Sequence, residues 1–434
     1  MQNGMDKDQE GGLVEGFKQV GHTMSQFYRD LLGIQSTTRS PIDMEVITQD
    51  NVLTSEQQVR MCRSFSCSDI KEAIWSIPYH KSPGPDGFSS GFFKATWAQM
   101  GPLVCSALHD FFKIATMPRA VSTTKLILIP KVQNPQHANE FRPISCCNVI
   151  YKCITKLIYQ RIKEVLLELI YPSQGGFVQE RELLYNVLLC QDLAKGYQRK
   201  HISPRCLLKI DIQKVFDFVH WGFLEDMLTA LRFAKVFITW IMSCVTSVSF
   251  SLHINGQSTG EFPGRKGLKQ GDPLSPLLFV ISKEYLSRLR HKHSVNFKFH
   301  PHCKSLQLTH LMFADDLIIF CKADAPTIQH IMSTLNVFHE CAGLKANMMK
   351  SQMVVGGCSP QLQDKCLQLT GFTETTFPLK YLGVPITASR LTKVECYNLV
   401  QKILNKVRIW TTRHLSFAGR AMLIISIMFG MINY

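Results

Sequence analysis

HLMFADDLIIF, running from His310 to Phe320, sets two adjacent aspartates inside an otherwise apolar run. Leu311, Met312 and Phe313 precede them, and Leu317, Ile318, Ile319 and Phe320 follow. Short apolar runs rich in Ile and Phe read as buried strands. The pattern therefore predicts two strands, with Ala314, Asp315 and Asp316 forming the tight turn between them. Neighbouring carboxylates repel each other, and each is costly to bury unpaired. Either the turn is a solvated hairpin tip, or a cation belongs beside it. A divalent metal is the sharper of the two readings.

About a hundred residues earlier, CLLKID, Cys206 to Asp211, reads as another buried strand that ends in an aspartate. If that strand and the hairpin share a sheet, Asp211, Asp315 and Asp316 meet at one edge. An all-oxygen ligand set suits Mg²⁺, which also keeps water and takes substrate phosphates. Two such ions, roughly 3.5–4 Å apart, clamp the attacking and leaving oxygens of an in-line phosphoryl displacement. Nucleotide addition to a 3′ hydroxyl is chemistry of that kind.

The bulk properties narrow the partners. The chain has 434 residues, and 45% of them are hydrophobic, which excludes a disordered protein. Lys and Arg number 48 against 33 Asp and Glu, and the net charge of +15 asks for a polyanionic partner, nucleic acid first and anionic membrane second. No charged-then-apolar segment opens the chain, so the 15 cysteines do not read as a secreted disulfide framework. The longest apolar stretches, such as Ala421 to Tyr434, are too short to span a bilayer. The expectation is an intracellular protein with reduced thiols, nuclear or cytoplasmic and not secreted. His291, His293, His300, His302 and Cys303 cluster without a spacing that organises zinc, and neither Cys146-Cys147 nor Cys62/Cys67 is better placed. A polar loop with incidental histidines is the plainer account.

Along the chain, residues 1 to about 68 are polar with few strong patterns, although Gly21 to Gly33 fits one helix. KSPGPDGF, Lys81 to Phe88, is a Gly/Pro-rich loop whose glycines fit neither a Walker nor a dinucleotide pattern, so taken alone it is a turn. TKLILIPK, Thr124 to Lys131, is a strand ending at a proline. A helix from about Tyr151 to Ile170 follows, with Ile154, Leu157, Ile158, Ile162, Val165, Leu166 and Leu169 on one face. Lys152, Lys156, Arg161 and Lys163 lie largely off that face and read as solvated. GRKGLKQGDPLSPLLF, Gly264 to Phe279, is a basic glycine-rich loop opening a helix, with Ser275 a natural cap and Pro276 a natural first residue. Near the end, Val400, Ile403, Leu404, Val407 and Trp410 make an amphipathic helix bearing Lys402, Lys406 and Arg408.

Taken in order, KSPGPDG, LIPK, FRPIS, DIQKVFD, GLKQGDPLSPLLF, FADD, GLKANMMKS and YLGVPI resemble the reverse transcriptase of non-LTR retrotransposons, and most closely the LINE-type elements of plants. The resemblance covers roughly residues 70 to 430. It implies an α+β right-hand polymerase: a linker-like extension over 1–68, fingers over 69–205, a palm over 206–386 and a partial thumb over 387–434. The reverse transcriptase domain as a whole would cover about 114–386. Asp211, Asp315 and Asp316 would be catalytic ligands of two Mg²⁺ ions, with Mn²⁺ as a substitute, and Asp315 the more direct ligand of its pair. Phe216 would pack under the incoming sugar, and Gln270 and Gly271 would border the templating base pair. Arg142 with Lys131 would reach the triphosphate from the fingers, and Lys350 would approach the same phosphates. Tyr381, Leu382 and Gly383 would form the primer grip, and Lys402, Lys406 and Arg408 would follow the duplex. Asp217 and Asp272 read as structural. The implied partners are an RNA template, a DNA primer and deoxynucleoside triphosphates.

Some residues depart from the family pattern. Val215 stands where an alanine is usual, beside the sugar-contacting aromatic. Lys283, in VISKEY, stands where the pattern is apolar, and a lysine on a buried helix face costs several kcal/mol unless it snorkels to water. No upstream endonuclease is recognisable, and Tyr434 falls inside the expected thumb. Two rivals stay open at this point. One is an inactive remnant that only binds nucleic acid. The other is an RNA-directed RNA polymerase, against which Phe216 argues, because a bulky ring under the sugar excludes a ribose hydroxyl.

Overall fold

The computed structural model describes residues 6–7, 13–14, 16–34, 39–197, 199, 201–213, 216–292 and 297–389, and positions 397, 400, 401, 404, 405 and 408. Its main strands are β1 (Thr123–Pro130), β2 (Phe141–Cys146), β3 (Arg205–Asp211), β4 (Ser249–Ile254), β5 (Gln257–Pro263), β6 (His310–Phe313), β7 (Asp316–Lys322), β8 (Gln352–Gly356), β9 (Thr373–Glu374), β10 (Leu379–Tyr381) and β11 (Val384–Ile386). The helices that matter here are α1 (Phe17–Gly33), α2 (Val149–Leu169), α3 (Leu183–Ala194) and α4 (Ser275–Lys292). The fold is α+β. The chain divides into two units: residues 1–171, 214–289 and 336–345 form the first, and 172–213, 290–335 and 346–434 the second.

The first unit holds a sheet of order β2-β1-β4-β5, in which only the β1–β4 pair is parallel. The segment expected to be linker-like instead contributes to this core. Val20, Met24, Tyr28 and Leu32 of α1 are buried against Leu126, Phe141, Phe250, Leu252 and Phe262. An i, i+4, i+8, i+12 stripe on one helix suffices to bury it against a sheet.

All seven apolar residues expected on the inner face of α2 are buried. Of its four cations, Lys163 is exposed as its spacing suggests, but the other three are not simply solvated. Lys152 is buried and its ammonium donates to the Ser82 carbonyl at 3.0 Å, Lys156 donates to Ser76 O at 3.3 Å, and the Arg161 guanidinium lies 5.0 Å from the Phe65 ring centroid. Periodicity tells which side of a helix faces a core, but not that another segment covers the far side. The same residues explain the KSPGPDGF loop. An ideal Cβ on Gly84 would lie 2.0 Å from Asn148 Oδ1, and Asn148 Nδ2 donates to the carbonyls of Ala120 and Val121 at 2.8 and 3.3 Å. The glycine permits close packing on the start of α2.

Lys283 does not snorkel. It is fully buried, with its ammonium 5.5 Å from the Phe279 ring centroid one turn back on α4. On the same helix Glu284 and Arg288 form a buried ion pair at 2.8 Å.

The second unit holds a sheet of order β9-β8-β3-β7-β6. β3 is antiparallel to both β7 and β8, and β6–β7 is the hairpin read from the opening stretch. Leu207, Leu311, Ile318, Phe320 and Val354 from the sheet pack with Val187, Cys190 and Leu193 of α3 and with Leu379, Tyr381 and Ile386 of the β10–β11 hairpin. Lys209 ties that hairpin to β3 by donating to the Lys380 carbonyl at 2.8 Å.

Candidate active site

In the second unit, the register of β3 on β7 sets Asp211 directly opposite Asp316. Directly opposed residues on antiparallel strands have Cα atoms about 4.5–5.5 Å apart, and like charges there destabilise the pair. Phe313 pairs with Asp316, so the loop is only Ala314 and Asp315, and the turn is one residue tighter than expected. Ala314 takes a left-handed φ of 50°, and Asp315 is exposed at the tip. Asp211 and Asp316 are half-buried. Among the described residues, no three His, Cys, Asp or Glu side chains gather closely enough to hold a metal ion by themselves. The donor set nevertheless fits Mg²⁺: the ligands are all oxygen, two of the carboxylates stand opposite each other on paired strands, and this ion is bound through one or two carboxylates plus water and phosphate.

Two neighbouring segments of the same unit fix these aspartates. The first is SQGG, Ser173 to Gly176, which runs along β6. Gly175 N–H donates to Met312 O and Met312 N–H to Ser173 O, both at 2.8 Å, and Asn186 Nδ2 donates to Met312 O at 3.1 Å. An ideal Cβ on Gly176 would sit 2.2 Å from the Ala314 nitrogen. The second is the stretch from Ala346 to Ser351. Ala346 bridges Ile212, Asn347 N–H donates to Asp211 O at 2.7 Å, and Asn347 Nδ2 donates to Asp211 Oδ2 at 3.2 Å. Asp211 N–H in turn donates to Ser351 Oγ at 3.1 Å. Asn347, Ser351 and the SQGG segment carry no assignment from sequence. The signals available were an asparagine beside a strand end and a glycine pair, both weak without knowledge of what approaches them. Lys350, which was singled out, is exposed. The side chain of Tyr381 is fully buried, while Leu382 and Gly383 form the two-residue loop of the β10–β11 hairpin at φ 49° and 90°.

In the first unit, a small open cleft is lined in part by Ser145, Asp217, Lys266 and Gln270. The glycine-rich loop folds back onto the segment after Asp211: Leu268 N–H donates to Phe216 O at 2.6 Å. Gly267, at φ 81°, would put a Cβ 2.7 Å from Asp217 O, so only glycine fits. Asp217 accepts from Gln270 Nε2 at 3.2 Å, which orients the amide, and Gln270 O accepts from Ser145 N–H at 2.7 Å. Gly271 is exposed at φ 108°. The Phe216 ring is half-buried, 5.2 Å from that of Phe279. Arg142 is exposed on β2, and Lys131 spends its ammonium on the Asn139 carbonyl at 2.7 Å. Lys269 points inward, 3.6 Å from the Tyr151 ring centroid, and burial lowers its pKa. Nearby, burial raises the pKa of Asp272, with Lys269 pulling the other way. Arg408 is exposed; Val215, His293, Lys402 and Lys406 lie outside the described residues.

A strand-end aspartate opposite a hairpin aspartate, on a mixed sheet packed against α3, suits metal-assisted nucleotidyl transfer. Residues 129–386, more than half of the chain, match the family described as "Reverse transcriptase (RNA-dependent DNA polymerase)", and the chain belongs to that family. It is 26% identical to the Transposon TX1 uncharacterized 149 kDa protein of Xenopus laevis over 88% of this chain and 29% of that one. It is also 26% identical to the Pol polyprotein of retrotransposable element R2DM of Drosophila melanogaster, over 89% of this chain and 35% of that one. A probable RNA-directed DNA polymerase from transposon BS of Drosophila melanogaster is 23% identical over 78% and 36%. The domain is thus homologous to those of non-LTR retrotransposons, and the chain spans about a third of the length of these relatives.

Proposed function

We propose that this chain copies RNA into DNA by metal-assisted nucleotidyl transfer to a primer 3′ hydroxyl, as the polymerase part of a LINE-type element of plant lineage. The observation that carries the reading is the pairing of Asp211 with Asp316, with Asp315 in the adjoining loop, inside the region matched to reverse transcriptases. Asp211, Asp315 and Asp316 would hold two Mg²⁺ ions, which activate the primer hydroxyl and neutralise the leaving pyrophosphate. The protein's part is positioning and charge. Gln270, oriented by Asp217, borders the templating base pair together with Gly271. Phe216 packs under the deoxyribose. Arg142 and Lys350, both exposed, neutralise the triphosphate, while the ammonium of Lys131 first has to leave Asn139. The buried Tyr381 ring anchors the Leu382–Gly383 loop, whose backbone meets the primer, and Lys402, Lys406 and Arg408 follow the duplex in a thumb after residue 386. The substrates are an RNA template, a DNA primer and deoxynucleoside triphosphates.

The test is extension of a primer on an RNA template with Mg²⁺ and labelled deoxynucleotides. Asp315→Ala removes an exposed ligand and leaves the fold intact. Metal stabilisation of the transition state is worth several kcal/mol, so the rate should fall on the order of 10³-fold. Extension near the parent rate would refute the metal assignment.

A further inference from the structure

We infer that Asn347 and Ser351 are positioning residues that set the Asp211 carboxylate for its cation, an assignment that rests on the polymerase reading above. A carboxylate at a strand end is free to rotate, and a metal needs one of its lone pairs aimed. Asn347 removes that freedom from two directions. Its backbone N–H holds the Asp211 carbonyl at 2.7 Å, and its side-chain amide holds Oδ2 at 3.2 Å. Oδ1 is left for the cation. The third hold is Ser351 Oγ, which accepts the Asp211 N–H at 3.1 Å from a fully buried side chain.

The bracket is itself stiff. Lys350 and Ser351 N–H groups donate to Asn347 O at 3.2 and 2.9 Å, closing a turn, and the Ala346–Ile212 bridge joins that turn to the chain just past Asp211. An amide is also the right chemistry. A lysine in this place would compete with the metal for the carboxylate, and an aspartate would add a fourth carboxylate to Asp211, Asp315 and Asp316. A neutral donor orients Asp211 and leaves its full charge for the ion.

Outer partners of metal ligands typically contribute about 10- to 100-fold in metal affinity or activity. The test uses the protein on a primed RNA template whose primer ends in a dideoxynucleotide, with the matched triphosphate, so that no turnover occurs. Mn²⁺ binding is read by EPR of the free ion. Asn347→Ala should weaken Mn²⁺ binding at least about tenfold. In separate extension assays on an ordinary primer, kcat should fall by a similar factor while KM for the nucleotide stays within about twofold. Ser351→Ala should move in the same direction, and Ser351→Thr, which keeps the hydroxyl, should restore the parent value. Unfolding curves of all three variants are recorded alongside. Parent-like Mn²⁺ binding by Asn347→Ala would overturn the inference, as would a loss that only tracks lost stability. A parent complex that binds no Mn²⁺ would instead overturn the metal reading beneath it.

Discussion

Replacing Arg288 with alanine tests how buried cations hold this fold. The side chain is 1% exposed, and its guanidinium donates to Glu284 Oε1 at 2.8 Å, to Ile47 O at 2.5 Å, to Asn51 O at 2.9 Å and to Leu169 O at 2.7 Å. The other Glu284 oxygen accepts from Tyr171 N–H at 3.1 Å. One residue of α4 therefore joins the N-terminal segment to the end of α2. Truncation strands a buried carboxylate and takes a donor from each of three carbonyls. Removing one partner of a buried pair costs about 3–5 kcal/mol, against a typical total stability of roughly 5–15 kcal/mol. The pH dependence follows from Glu284. Burial pushes its pKa up to about 7 from 4.5, with Arg288 pulling it down. A carboxyl whose folded pKa is raised adds stability that is complete below the unfolded value and is lost as pH rises through the folded one. Without Arg288 the folded pKa climbs further. At pH 6 the group can protonate and limit the damage, whereas at pH 8 more of the cost of the charge remains. Urea unfolding followed by tryptophan fluorescence should show a larger loss at pH 8 than at pH 6. A loss under about 1 kcal/mol at pH 8, or a larger loss at pH 6, would refute the reasoning. Glu284→Gln should flatten the parent's decline in stability between pH 4.5 and about 7.

Three further expectations concern other sites. In Gly176→Ala, the new methyl meets the Ala314 nitrogen at 2.2 Å, so the aspartate loop must move; we expect about 1–3 kcal/mol of lost stability and a fall in primer extension on the order of 10²-fold, and parent-like extension would show that the loop tolerates displacement. Phe216→Ala should raise ribonucleotide over deoxyribonucleotide use by about 5- to 150-fold in the ratio of kcat/KM, from a packing clash of roughly 1–3 kcal/mol; an unmoved ratio would make the ring core rather than gate. His300, fully buried, has its pKa lowered to about 3 by burial, with Arg205 and His302 adding to the effect. Its contribution is therefore complete above pH 6.5 and lost as pH falls towards 3, so His300→Phe should reduce the difference between urea midpoints at pH 7 and pH 5; an unchanged difference would place the acid sensitivity elsewhere.

Much of the sheet in the second unit was legible because its signals are local. HLMFADDLIIF alternates between a buried run, a turn and a buried run, and it folds as β6, a two-residue loop and β7. The amphipathic stripe of α2 likewise needs only its own residues. The exact meeting of Asp211 with Asp316 was not readable in this way, because it depends on the register of strands a hundred residues apart. Asn347 and Ser351 were missed for the same reason. GLKANMMKS shows a lysine that looks chemical and an asparagine that looks like a turn former, yet the asparagine is the one that touches Asp211.

The surplus charge shows the same limit from the other side. A net charge of +15 points to a polyanion, but it does not say which cations are available to one. Lys152, Lys269, Lys283 and Arg288 are all buried within the first unit, and Arg205 and Arg290 within the second. Several of them end on carbonyls: Lys152 on Ser82, Lys269 on Cys244, Arg288 on Ile47, Asn51 and Leu169, and Arg205 on Ser203. Loops and helix ends leave such carbonyls without partners, and a long cationic side chain can satisfy them from another element. These residues hold the chain together. Arg142 and Lys350 are exposed, and in the proposed reading they are the cations that meet phosphate. Neutralising those two should therefore lower the salt dependence of template binding, whereas substituting the buried set should lower stability first.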